Sequence, residues 1–248
     1  MRQALALAGL TALVLASAPS AAGADADRPR VSLSVSPARL ALAAPGARTI
    51  KLRNSGAEQV VVDVTRRPLD PQPAAKTWLQ ISPARLVLHS GENAILTLRA
   101  SPPLHAEPGE HHVLVLLTTR PLHGGRVNVQ VRLGVRIRMD VPGRIVRNAA
   151  LGGLRIRRSH TARFMFVPVT NRGNVTVPLR GRVTASLLRR GQRLAQLPPR
   201  GRRALLPGAR GVLALRYRGR VRGLLTLVVR IRLGPGVRGV ERRYRVRL

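Results

Sequence analysis

Apolar and polar positions alternate in short runs along most of the chain, and Gly, Pro and Asn separate the runs. A period of two marks strands with one buried face, whereas a helix repeats its apolar positions every three or four residues. Val31, Leu33 and Val35 alternate with serines, and Ile50 and Leu52 with Lys51 and Arg53. Val60 to Val64, Leu86 to Leu88, Ile95 to Leu98 and Val113 to Leu117 are short apolar runs of strand length. A longer alternation follows, with Val127, Val129, Val131, Leu133, Val135, Ile137, Met139 and Val141 on one side. At ~3.3 Å per residue this run exceeds an ordinary strand, so Gly134 is read as a bulge or a change of sheet. Asp140-Val141-Pro142-Gly143 then ends the run and marks a domain boundary.

The second half repeats the plan. Phe164, Phe166 and Val167 to Val169 predict one strand, and Val183 to Leu187, Val212 to Tyr217 and Leu224 to Leu233 predict others. Tyr244, Val246 and Leu248 alternate with Arg243, Arg245 and Arg247 at the end. The turns repeat as well. Thr49 to Leu52 leads into Asn54-Ser55-Gly56, and Val167 to Val169 leads into Asn171-Arg172-Gly173-Asn174, each with valines following. Asn and Gly suit such turns because both tolerate left-handed backbone conformations. Leu88-His89-Ser90-Gly91 precedes one strand and Leu206-Pro207-Gly208 another, and both glycines stand 37 positions after their asparagine. Two matched turns at equal spacing predict a duplicated unit of about 105 to 115 residues, the size of a sandwich of seven or so strands. The predicted fold class is therefore all-β: two tandem Ig-like antiparallel β-sandwich domains, 27–141 and 142–248.

Residues 1–26 read as a signal peptide. Arg2 is its positive end, Ala4 to Leu15 its apolar stretch, and Ala22-Gly23-Ala24 or Ala24-Asp25-Ala26 its cleavage site. Beyond it no apolar run approaches the ~18 residues of a membrane span, so the mature chain is expected to lack a transmembrane segment and to work outside the cytoplasm.

The segments SPARLAL at 36–42 and ISPARLVLHSGENAILTLRA at 81–100 resemble the N-terminal sandwich of PapD-like chaperone and MSP-type domains. GVRIRMDVPG at 134–143, VTNRGNVTVPLRGRV at 169–183 and LLPGARGVLALRY at 205–217 resemble the WxL-interacting family of bacterial surface proteins and its actinobacterial relatives. The likeness spans most of 30–248 and rests on turn-and-strand patterns, so it carries over no binding residue. It implies PapD-like sandwiches in an exported protein that either binds at the cell surface or chaperones assembly by adding a strand to a partner subunit. The C-terminal membrane helix of WxL-interacting proteins and the subunit-binding signature of pilus chaperones have no recognisable copy here.

Composition narrows the function. Apolar residues are 44% of the chain but aromatics only 2%, so the core is built from aliphatic side chains and offers no aromatic walls for a cofactor. Cysteine is absent, which excludes disulfides and thiol chemistry. The net charge is +34, and from Pro142 onward 27 arginines face one acid, Glu241. Arg216, Arg218, Arg220, Arg222, Arg230, Arg232, Arg243, Arg245 and Arg247 alternate with other residues and form a candidate face for an anionic polymer. The guanidinium fork suits phosphate and carboxylate. Only Phe164, Phe166, Tyr217 and Tyr244 are Phe or Tyr, too few stacking platforms for specific nucleic-acid binding.

Catalytic chemistry finds little support. His105, Glu107, Glu110, His111 and His112 carry ligand atoms, but adjacent histidines in a strand point to opposite faces, and no metal site is expected. Ser90 lies between His89 and Glu92 in a tight turn without a nucleophile elbow. Leu197-Pro198-Pro199-Arg200-Gly201 and Asn174-Val175-Thr176 read as turns rather than as a wall-sorting signal or a glycan acceptor. No catalytic residue and no cofactor is expected, and the chain reads as a non-enzyme. The first functional expectation is a surface or envelope module contacting anionic cell-wall polymer or other surface proteins. The alternative is a PapD-like assembly chaperone.

Overall fold

The computed structural model describes residues 29–69, 74–120 and 130–248. The expected signal peptide, Val127 and Val129 lie outside them. In the first half come β1 (Leu33–Ser36), β2 (Arg39–Ala43), β3 (Gly46–Asn54), β4 (Val60–Pro68), a one-turn helix α1 (Ala75–Trp78), β5 (Leu79–Ser82), β6 (Arg85–Leu88), β7 (Asn93–Ala100), β8 (Gly109–Thr119) and β9 (Arg132–Val141). The second half contains β10 (Ala149–Leu151), β11 (Arg155–Arg158), β12 (Arg163–Asn171), β13 (Val177–Pro178), β14 (Val183–Arg189), β15 (Gln192–Gln196), β16 (Ala204–Leu205), β17 (Arg210–Tyr217), β18 (Leu224–Ile231) and β19 (Val240–Arg247). The fold is all-β, with two Ig-like sandwiches.

In the first sandwich a sheet ordered β1-β3-β7-β5 packs on one ordered β2-β9-β8-β4-β6. Single-face burial explains the alternation: Ile50, Leu52, Leu96, Leu98, Val135, Ile137 and Met139 are completely buried, with neighbours such as Lys51, Arg53, Thr97, Arg99, Arg136 and Arg138 turned outward. Each such side chain contributes ~1.5–3 kcal/mol, so Leu, Ile and Val sustain a core without aromatics. In the second sandwich β12 pairs with β10 and β11 on one side and β17 on the other, opposite a sheet ordered β15-β14-β18-β19, and β13-β16 forms a small extra ladder. The two cores share no residue: one runs from Leu33 to Val141 and the other from Ala149 to Leu248.

Asn54 and Asn171 are buried, and each fastens its own sandwich. Asn54 Nδ2 donates to the carbonyls of Glu58 (2.7 Å), Leu88 (3.2 Å) and His89 (3.1 Å), and its Oδ1 accepts from Gly56 N (3.0 Å). Asn171 Nδ2 donates to Val175 O (2.8 Å) and Leu205 O (3.0 Å), and its Oδ1 accepts from Gly173 N (2.9 Å). The main-chain amides follow suit, Asn54 N to Glu92 O and Asn171 N to Ala209 O, both 3.0 Å.

Three expectations are corrected, and the turn residues divide by backbone conformation. Asn54, Gly56, Asn171 and Gly173 are not left-handed; of the matched residues only Gly91 (φ 78°) and Gly208 (φ 69°) are. Gly56 and Gly173 are needed for close approach, since a Cβ would sit 2.6 Å from Ser32 N and 2.2 Å from Val146 O respectively. Gly134 makes neither a bulge nor a sheet change: β9 runs unbroken against β8, with Gly134 opposite Leu116. β2 pairs with β9 in parallel, so the first sandwich is not purely antiparallel. Finally, α1 interrupts a chain read as strands only; at four residues it is too short to show a helical period.

Candidate functional site

β8 pairs with β9 from Arg132 to Val141. On the opposite edge β2 covers only Arg136 to Asp140, and the amide of Arg136 reaches Ala38 O at 3.1 Å. Among the described residues no strand pairs with that edge at Arg132–Val135. Val131 and Leu133 are half-buried and pack on the core here. Thr119 clamps this end, its Oγ1 accepting from Val131 N at 2.8 Å and its amide donating to Val131 O at 2.9 Å. A strand edge with alternating apolar residues and unpaired amides and carbonyls is a template for another strand.

The second feature is the joint between the sandwiches. Asn174 Nδ2 donates to Pro108 O and Arg144 O, both 2.8 Å, while its Oδ1 accepts from Val146 N at 2.7 Å and its carbonyl from Glu110 N at 2.7 Å. Gly109 (φ 119°) passes so close that a Cβ there would lie 2.2 Å from Asn174 O. Next to it Glu110 Oε2 accepts from the amide of Thr176 (2.8 Å) and from its hydroxyl, and lies 3.3 Å from His112 Nε2. Arg138 Nη1 stands 3.9 Å from Glu110 Oε1. Burial opposes the charge on Glu110, but the bonds from His112 and Thr176, helped by Arg138, outweigh it and hold the carboxyl at about 2.

The residues singled out in the sequence fall in several places. His111 turns inward: it is buried, its Nε2 lies 2.7 Å from Glu107 O, and its ring meets Trp78 edge-on at 4.8 Å. His112, on the opposite face, belongs to the joint, and His105 is exposed. Among the described residues no group of three or more His, Asp or Glu is placed to hold a metal ion. Ser90 Oγ donates to Gly56 O at 2.8 Å and Glu92 accepts from His89 N at 2.7 Å, so this trio braces the Asn54 turn. Both amide hydrogens of Asn174 are used, in keeping with a structural turn.

The nine arginines do not share one face. Arg216 lies on β17, where its guanidinium sits 5.5 Å from the Phe164 ring centre. Arg230, Arg243, Arg245 and Arg247 lie on β18 and β19, in the opposite sheet, and Arg232 just beyond β18, bonded to Gly181 O at 3.2 Å. Arg218, Arg220 and Arg222 lie in the loop between β17 and β18. Glu241 is held between Arg230 and Arg243. Sequence reasoning missed Asn174 as a joint residue; its signal was that the matching position in the first copy is Ala57.

Comparison with known proteins follows this geometry. No protein-family model matches the sequence, and no curated protein matches it. Among solved structures, the class 5 fimbriae chaperone CfaA superposes with a TM-score of 0.52 at 12% identity, over 86% of this chain and 98% of that one. A structure of the chaperone–tip adhesin complex of CFA/I fimbriae gives 0.51 at 13% identity, again over 86% and 98%. The chain thus has the PapD-like fold, two Ig-like sandwiches in tandem. No described helix is long and apolar enough to cross a membrane.

Proposed function

We propose that the chain is a non-catalytic assembly chaperone of the cell envelope, which holds a partner subunit by strand addition along the open edge of β9. The observation that carries this reading is the half-covered strand: β2 begins at Arg39, opposite Arg136, and among the described residues no strand pairs with Arg132–Val135 on that edge. The fold likeness to a fimbrial chaperone, and to a chaperone in complex with a tip adhesin, supports it. Residues 27–141 and 142–248 act as its two domains, with Pro142-Gly143 at the boundary, and the leader at 1–26 sends the chain outside the cytoplasm. The reading as a wall-polymer binder of the WxL-interacting type has less to rest on, because its arginines are divided between two opposed sheets and a loop.

The test is isolation of the full exported chain from its native envelope in about 0.5 M NaCl, where exposed charge contacts are screened. The chain is expected to bring a single subunit with it. Val131→Glu/Leu133→Glu should abolish co-purification, while Val87→Glu on the exposed face of β6 should not. Recovery of the chain alone, or a β9 variant that keeps its partner, refutes the reading.

A further inference from the structure

Arg218, Arg220 and Arg222 are drawn together with Arg163, His160 and Tyr217 around a hollow of about 360 Å³ at one end of the second sandwich. The hollow is open to solvent and has room for a phosphate-sized group. The walls are the loop between β11 and β12 and the loop between β17 and β18, which meet because Arg163 pairs with Tyr217 in the β12–β17 register.

The arginine loop is pinned rather than loose. At Gly219 the backbone passes so close to Tyr217 that a Cβ would lie 2.2 Å from the phenol oxygen. Val221 is half-buried and packs against the core. Gly223 (φ 106°) exchanges main-chain hydrogen bonds with Leu248, at 3.0 and 3.1 Å. Arg220 and Arg222 flank Val221 and remain exposed. Across the hollow, Arg163 Nη1 donates to Ser159 O at 3.0 Å. No carboxylate side chain lines the hollow, and Glu241, the one acid of residues 142–248, is engaged on β18 and β19.

We propose that this hollow binds a multiply charged oxyanion of the phosphate class. Four arginines line one concave site with no acidic side chain among them, and an anion with several charged oxygens offsets their like charge while accepting forked hydrogen bonds. The backbone is already fixed by Gly219, Val221 and Gly223, so binding does not have to order it. The site is independent of the β9 edge and of the strand-addition reading.

The experiment is calorimetric titration of the full exported chain with inorganic tripolyphosphate in about 150 mM NaCl. Arg220→Ala/Arg222→Ala is expected to weaken binding about tenfold or more, since each change removes a charge-assisted contact. Arg48→Ala/Arg99→Ala, on the exposed faces of β3 and β7 in the first sandwich, should change it less than about twofold. Both pairs are exposed, so melting temperatures should match the parent; if the first pair lowers it, Arg218→Ala serves in its place. Equal losses in the two variants mean diffuse charge rather than a site and overturn the proposal, as does absence of binding by the parent. Sedimentation with phosphatidylglycerol vesicles, run alongside, separates the sources. Retention lost in the Arg220/Arg222 variant identifies a lipid headgroup, and tripolyphosphate binding without retention identifies a free phosphate chain.

Discussion

Glu110 of the first sandwich accepts both the main-chain amide and the hydroxyl of Thr176 in the second, so one carboxylate takes two of the bonds that tie them, beside those of Asn174. Its carboxyl is held at about 2, below its ordinary 4.5, because the bonds it accepts outweigh the effect of burial. The folded state therefore binds fewer protons here than the unfolded one. The contribution is fully present above pH 4.5 and is lost as pH falls through about 2. Glu110→Gln is expected to cost about 1–2 kcal/mol in urea unfolding at pH 7. The gap between the two proteins should close as pH falls through that window; a constant gap contradicts the assignment.

The two buried asparagines should behave alike. Asn54→Ala and Asn171→Ala each strand two or more buried carbonyls and an amide, at about 1–3 kcal/mol per group and ~2–4 kcal/mol in all once the site relaxes. Asparagine to aspartate should be no better, because the carboxylate has no hydrogens for Leu88 O or Leu205 O. Denaturant titration followed at Trp78, in the first sandwich, separates local from shared effects. Asn54→Ala should shift that signal much more than Asn171→Ala.

Glycines of the matched turns divide into two kinds. Gly56→Ala and Gly173→Ala push a methyl into backbone at 2.6 and 2.2 Å, and each should lower stability by more than about 2 kcal/mol. Gly91→Ala and Gly208→Ala meet an unfavourable positive φ, with open space around Gly91, and should cost about 1 kcal/mol. Thermal melts of the four variants check the ordering.

Arg245 stands between Arg243 and Arg247 on the outward face of β19, opposite Thr226. Reversing it with Arg245→Glu should leave stability unchanged or raise it by up to about 0.5 kcal/mol at low salt. The difference should vanish in about 0.5 M NaCl. A clear loss at low salt refutes the view that these side chains repel one another.

Strands such as β3 and β9 were legible because Ile50 and Leu52, or Val135, Ile137 and Met139, each bury one face of a sheet. The direction of a neighbour leaves no such mark: Leu40 and Leu42 alternate with Arg39 and Ala41 whichever way the next strand runs. The equal spacing of Asn54 to Gly91 and Asn171 to Gly208 exposed the duplication, yet a polar residue in a turn reads as surface, and both asparagines are buried. Alternation also overran its element at Tyr217. The arginines after it continue the pattern although the strand has ended, so a loop was read as a sheet face.

The parallel pairing of β2 also acts as a length gauge. Its first paired residue, Arg39, meets Arg136, and Ala38 already occupies the amide of that residue. A strand laid along β9 from the other end has to finish at Val135, where it meets the start of β2 like a drawer reaching its stop. On the strand-addition reading, longer guests would gain no further rungs, so β9 would measure a segment as well as hold it.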